Sequence, residues 1–118
     1  MTVALDPGQL INPDTVVTQV EGSVGWALSA ALWGEITLKD GAVMQGNFND
    51  YPVARIGDMP QVDVHLVVNH ERPTGVGEPA VPPFAPALAS AIFAATGIRV
   101  RRMPIRADAL RSGRAATQ

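Results

Sequence analysis

Cysteine is absent from this 118-residue chain. That excludes disulfides, a thiolate nucleophile, and iron–sulfur or zinc-thiolate ligation by its own residues. Aromatic residues are sparse, at 5%, so a core must be built from aliphatic side chains and Ala. No apolar run approaches the roughly 18 residues of a membrane span. The N-terminus lacks a basic stretch followed by an apolar one, so no signal peptide is expected. The compartment, cytoplasmic or periplasmic, stays open. Cations are scarce over residues 1–98, where Lys39, Arg55 and Arg72 stand against ten carboxylates. Residues 99–118 reverse the balance, with six arginines and one Asp. That basic end carries no aromatic side chain for base stacking. A solvated terminus, or one that docks on an acidic partner, is therefore expected rather than nucleic-acid binding.

The length suits one domain, large enough to bury roughly two-thirds of its unfolded-chain surface. Residues 2–6 read as a short strand ended by Pro7-Gly8. Asn12-Pro13-Asp14 is a helix start: a capping amide, a proline at the first helical position, and an acid at the positive end of the dipole. The helix should run to about Trp33, with Gly34 beyond its end. Residues 35–46 predict a hairpin around Asp40-Gly41. Residues 47–60 read as irregular, anchored by Phe48 and Tyr51. Val62, Val64, Leu66 and Val68 alternate along a second strand. A Gly/Pro-rich loop fills 69–86, a second helix spans about Pro86 to Thr96, and Gly97 closes it. Residues 98–105 can add a last strand, and 106–118 read as a disordered tail. The fold expected is α/β (α+β): a small mixed, largely antiparallel sheet packed with two buried helices.

Those helices lack a water face. Residues 13–33 hold only Asp14 and Glu21 as charges, and residues 84–97 hold none. A surface helix normally carries a charged stripe opposite its apolar one. Both helices should therefore be covered on most sides, some of that cover coming from other protein, and the isolated chain should self-associate. Gly22, Gly25 and Ser29 share a face of the first helix, where they serve packing or make room beside a ligand.

The loop Pro73-Thr-Gly-Val-Gly-Glu-Pro79 sets one carboxylate, Glu78, on a stiff segment. Gly75 and Gly77 open backbone conformations closed to other residues, and Pro79 biases Glu78 toward extended backbone. Such a carboxylate can act as general base, metal ligand or acceptor for backbone amides. No capping side chain precedes the second helix, so its amides need water, backbone or an anion. Gln19 is an amide in an apolar helix and needs a partner. His65 and His70 have no third residue at ligand spacing. Gly75-x-Gly77 lacks the rest of a dinucleotide fingerprint. Ser23, Ser29 and Ser90 sit in helices without a nucleophile elbow.

Taken together, several motifs resemble the xanthine dehydrogenase/aldehyde oxidase family. They are Asn12-Pro13-Asp14, Gln19-Val20-Glu21-Gly22, Ala27-Leu28-Ser29-Ala30-Ala31-Leu32-Trp33-Gly34-Glu35-Ile36-Thr37 and Asn47-Phe48-x-x-Tyr51-Pro52. Gly75-Val76-Gly77-Glu78-Pro79, Ala85-Pro86-Ala87-Leu88-Ala89 and Ala94-Ala95-Thr96-Gly97-x-Arg99-x-Arg101 extend the match over about residues 3–105. In detail the chain is most similar to the second molybdopterin-binding domain, in the C-terminal part of the large subunit, of isoquinoline 1-oxidoreductase-type enzymes.

The resemblance implies that Glu78 is a catalytic base and that Gln19, Val76 and Gly77 lie beside a molybdenum–molybdopterin cofactor, in its cytosine dinucleotide form. No direct metal ligand is expected from this chain. It further implies hydroxylation of aldehydes or N-heterocycles with water as oxygen source, and electrons leaving to 2Fe–2S clusters on a partner subunit. Large subunits of this family are several times longer. The chain is therefore expected to be a fragment, a split subunit or a remnant. It would be active only when complemented by the rest of the large subunit and an iron–sulfur subunit, and would not hold the cofactor tightly alone. The rival reading is a non-catalytic scaffold or interaction module that keeps the fold.

Overall fold

The computed structural model describes residues 1–111. Its first strand, β1 (Thr2–Gly8), ends where Gly8 turns to φ 77°, and Asn12 then stands before the first helix, its Oδ1 accepting a hydrogen bond from the Thr15 amide at 3.2 Å. That cap, with Pro13 behind it, opens α1 (Pro13–Leu32) where the sequence places it. The helix ends as the Trp33 and Gly34 amides both donate to Ser29 O. The Asp40-Gly41 turn, with both residues at positive φ, joins β2 (Leu38–Lys39) to β3 (Ala42–Val43) in an antiparallel pair. This ladder is two residues long on each side, much shorter than the predicted 35–46 hairpin. Residues 44–62 are irregular apart from a 3-10 turn at Ile56–Asp58.

The second long strand, β4 (Asp63–Val68), pairs with β1 in parallel, from Thr2 opposite Asp63 to Leu5 opposite Leu66, with a bulge before Gly8 meets Val68. The α/β class holds. The strands form two separate two-stranded ladders, and the longer ladder is parallel rather than antiparallel, because α1 supplies the crossover between its strands. Val3, Leu5 and Val64 turn one face of this ladder onto α1 and are half-buried there, while Ala4, Asp63 and His65 face out.

The second helix, α2 (Val81–Thr96), begins about five residues before its predicted start, and Gly97 closes it in the left-handed conformation at φ 73°. The core is the buried stripe Val20, Val24, Ala27, Leu28 and Ala31 of α1 against Ala80 and Phe84. Full burial of both helices is not what the described residues show. Trp26 on α1 is 79% exposed, and Phe84 is the one buried residue of α2. Phe48, expected as an anchor, is 95% exposed, because the loop around it is held instead by Asp50 accepting the Gly46 and Asn47 amides.

No strand forms over residues 98–105. The segment is tied back through the Ile105 amide to Ala31 O at 2.7 Å, with Ile105 buried. Ala107–Arg111 form a short helix, α3, where the sequence predicted a disordered tail from residue 106; residues 112–118 lie outside the described residues. The basic segment also finds an acid within the chain. Arg106 and, at 3.8 Å, Arg102 reach the Glu35 carboxylate, and Arg99 stacks on the Phe93 ring at 3.7 Å.

Candidate functional site

Gln19 lies near the start of the buried stripe of α1 but on its exposed side, where the amide can reach solvent rather than needing a partner within the chain. Its side chain makes no hydrogen bond within the described residues. What lies next to it is Gly77: a methyl group built on Gly77 would sit 3.4 Å from Gln19 Oε1. The structure therefore brings together two of the positions singled out in the sequence, 58 residues apart along the chain. Gly75 and Gly77 do not have positive φ, contrary to the expectation for this loop. A side chain at Gly77 would come no closer than van der Waals contact to the Gln19 amide, and Gly75 has open space around it. Val76 is half-buried between them.

Glu78 follows directly. Its main-chain carbonyl accepts the Val81 amide at 2.9 Å, which fixes the turn into α2. Its carboxylate is exposed and has no hydrogen bond or ion pair among the described residues. That removes the reading of Glu78 as an acceptor for loop amides. The carboxylate lines a depression of about 520 Å³ with Trp26, Gly77, Val81 and Pro82, a volume in the range of small-molecule sites. Trp26 was not singled out in the sequence, although it stands seven residues from Gln19 and so on the same helix face. An exposed tryptophan two turns from a candidate polar residue was the available signal.

The amides at the start of α2 do not form an anion site. Val81 is already bonded to Glu78 O, and Pro82 and Pro83, in the first turn, have no N–H to offer. His65 is paired with Asp63 at 3.1 Å on an exposed edge, and His70 stands apart. No group of three or more His, Asp or Glu that could hold a metal occurs among the described residues. Of the small residues on α1, Gly25 and Ser29 receive the irregular segment: Met59 Sδ would be 3.3 Å from a methyl on Gly25, and Ser29 Oγ accepts the Ala54 amide at 2.9 Å. Gly22 faces open space.

Residues 1–60 match the family model described as a molybdopterin cofactor-binding domain. A membrane-bound aldehyde dehydrogenase (pyrroloquinoline-quinone) of Gluconacetobacter polyoxogenes is 38% identical over 94% of this chain, which spans 14% of that protein. The isoquinoline 1-oxidoreductase subunit beta of Brevundimonas diminuta is 35% identical over 87% of this chain and 13% of its own length. Among solved structures, quinoline 2-oxidoreductase from Pseudomonas putida 86 superposes with a TM-score of 0.83 at 21% identity, over 96% of this chain and 16% of that one. That likeness establishes the fold. The chain thus spans a small fraction, about a seventh, of the proteins it matches.

Proposed function

This chain belongs to the molybdopterin cofactor-binding domain family, within the xanthine dehydrogenase group of molybdenum-binding subunits, and we propose that it is the C-terminal, base-bearing segment of the second such domain of a molybdenum hydroxylase. The observation that carries this reading is the uncommitted Glu78 carboxylate beside the Gln19–Gly77 contact. An exposed amide with a free donor and acceptor, next to a backbone without a side chain, suits the edge of a polar heterocycle such as a pterin. Gln19 and the Val76–Gly77 backbone would hold that edge. The metal would be held by the cofactor's own ligands, since the residues around Glu78 supply no ligand cluster. The cytosine dinucleotide form of the cofactor is part of the proposal.

When bound, molybdenum–molybdopterin supplies a two-electron acceptor and makes water usable as an oxygen donor. The net reaction is R–H + H2O → R–OH + 2 H⁺ + 2 e⁻, with an aldehyde or N-heterocycle as substrate and 2Fe–2S clusters on a partner subunit as the electron exit. Within it, Glu78 takes up a proton at its carboxylate. A base needs a free lone pair within reach of the reacting group, and Glu78 has no intrachain partner to give up first. Trp26 and Pro82 wall the depression beside it. The remainder of the large subunit and the iron–sulfur subunit are the partners required for turnover. The chain would also self-associate when isolated. A non-catalytic interaction module would explain the exposed apolar residues equally well, but gives no reason for a free carboxylate in a ligand-sized depression.

The test is Glu78→Gln in the complemented assembly. Gln keeps the shape and cannot accept the proton, so turnover per molybdenum should fall about 10²–10⁴-fold with cofactor content unchanged. Asp108→Asn, on the exposed first turn of α3, is the control. Turnover of the Gln variant within about threefold of wild type, against the general-base range above, would overturn the assignment.

A further inference from the structure

Glu78 sits between two anchors. Downstream, Ala80 is buried in the core and α2 begins. Upstream, the chain leaving β4 is fastened to the end of β1 by a set of contacts that centre on Asp6. The Asp6 carboxylate accepts the Gly8 amide at 3.0 Å and the Asn69 Nδ2 group at 2.8 and 2.9 Å. Asn69 Oδ1 in turn accepts the Glu71 amide at 2.8 Å. Two main-chain bonds follow, Gln9 N–H to Glu71 O and Thr74 N–H to Pro7 O, both 3.0 Å. The backbones approach so closely that a methyl on Gly8, at φ +77°, would lie 2.5 Å from Arg72 O. The last of these fastenings, at Thr74, is four residues before Glu78.

We propose that Asp6 and Asn69 form a latch that positions the 75–78 segment and so aims the Glu78 carboxylate. This rests on the reading of Glu78 as the base. The segment has little else to fix it: Gly75 has open surroundings, and the Glu78 side chain is unbonded. Opening the upstream anchor leaves 75–78 as a tether held at one end. Misplacement of a reacting group by about 1 Å can cost about 10²-fold in rate. Asp6 and Asn69 are positioning residues. They touch neither substrate nor cofactor in this reading.

The chemistry of the pair offers a discriminating test. Asn69→Asp sets two carboxylates against each other. Asp6→Asn combined with Asn69→Asp reverses one side-chain bond, the new amide nitrogen standing where Asp6 Oδ2 was and donating to the new carboxylate at 69, and keeps the oxygens that accept from Gly8 and Glu71, while the second contact, at Asp6 Oδ1, is given up. In the complemented assembly, Asn69→Asp should lower kcat about 10–100-fold with KM and molybdenum content little changed. The swap should raise kcat again by at least about threefold over Asn69→Asp. In the 118-residue chain alone, hydrogen exchange at the Gln9 and Thr74 amides should lose protection in Asn69→Asp and regain it in the swap. If Asn69→Asp yields no folded protein, the milder Asp6→Asn takes its place in both assays. Unchanged kcat or unchanged exchange in the single variant, or a loss that the swap fails to rescue, overturns the latch. If Glu78→Gln proves active, the base reading fails with it, and the exchange arm alone then decides whether the Asp6–Asn69 fastening exists.

Discussion

Replacing Phe84 with Ala tests the packing on which the site depends. Phe84 is 4% exposed and is the single buried residue of α2, set against Val20, Val24 and Leu28 of α1. A buried Phe removes about 150–200 Å² from water, and at about 25 cal/mol per Å² that is about 4–5 kcal/mol. Measured Phe→Ala costs of about 3–5 kcal/mol agree. A domain of this size has about 5–15 kcal/mol in total, so the variant should lie near the edge of folding. Phe93 is the comparison. It is 39% exposed and carries Arg99 on its ring, so Phe93→Ala should cost about 1 kcal/mol. Urea unfolding followed by far-UV circular dichroism reads both, and with a slope of about 1–3 kcal/mol per molar the Phe84 midpoint should drop by more than about 1 M. A Phe84→Ala midpoint that matches wild type, or a larger loss for Phe93→Ala, would mean that α2 is not held through this ring.

Asp50 accepts the Gly46 and Asn47 amides, which hold its carboxyl below the ordinary value of 3.8. A depressed folded-state value means the turn is fully supported above the unfolded value and loses that support as pH falls through the folded one. The Gly46 and Asn47 amide shifts should therefore titrate with a midpoint under 3.8, and a midpoint at or above it refutes this. Glu35→Gln removes the acid shared by Arg102 and Arg106, both more than half exposed. The cost should be about 1 kcal/mol or less and should vanish in about 1 M salt; an effect of equal size in high salt would point to packing instead. The isolated chain should form oligomers by light scattering at about 100 µM, since Ile11, Trp26, Phe48 and Ile56 are exposed and such apolar surface marks contact sites; a clean monomer that binds no hydrophobic dye contradicts this. Purified without partners from cells that make the cofactor, it should carry far less than stoichiometric molybdenum by elemental analysis, and a stoichiometric load would sink the requirement for complementation.

Local chemistry made some elements legible. Asn12-Pro13 supplies both the cap and the preset φ of a helix start, Asp40-Gly41 supplies two positive φ values, and the alternation from Val62 to Val68 gives a strand with one inner face. The sequence places the start of α2 too late, at about Pro86, because Pro82 and Pro83 read as part of the Gly/Pro-rich loop. The first-turn amides of a helix have no intrahelical partner, so prolines there forfeit little. Pro86, deeper in, is carried by a helix anchored at Phe84. Residues 98–105 alternate enough to suggest a strand, but they add to neither two-stranded ladder, and the bond from Ile105 to Ala31 that holds the segment instead could not be read from local pattern. The parallel pairing of β1 with β4 is likewise a long-range fact. At the site, the Gly-Val-Gly-Glu loop stands out for a backbone freedom that its glycines do not use: neither has positive φ, and only Gly77 has a neighbour, the Gln19 amide, where a side chain would point.

The scarcity of charge on both helices carries a consequence that burial within the chain does not exhaust. Each helix hides one side in the core and leaves apolar surface outside, Trp26 above all. Under the proposed function that surface is where the rest of the large subunit packs. Glu78 sets a boundary to that cover. Its carboxylate is unpaired and opens into the same depression as Trp26. Apolar protein laid over it would strand a charge away from water, a far larger penalty than the burial of one indole could offset. The cover must therefore either bring a cation to Glu78 or stop short of it. Stopping short leaves a cavity with an aromatic wall, a carboxylate and an amide-lined edge, and such a cavity suits a small planar substrate. A cation brought to Glu78 would instead hold the carboxylate in an ion pair and oppose its use as a base. The proposed function thus requires that no Lys or Arg of the completed subunit lie within ion-pair distance of Glu78, and a structure of the assembly with such a pair would count directly against it.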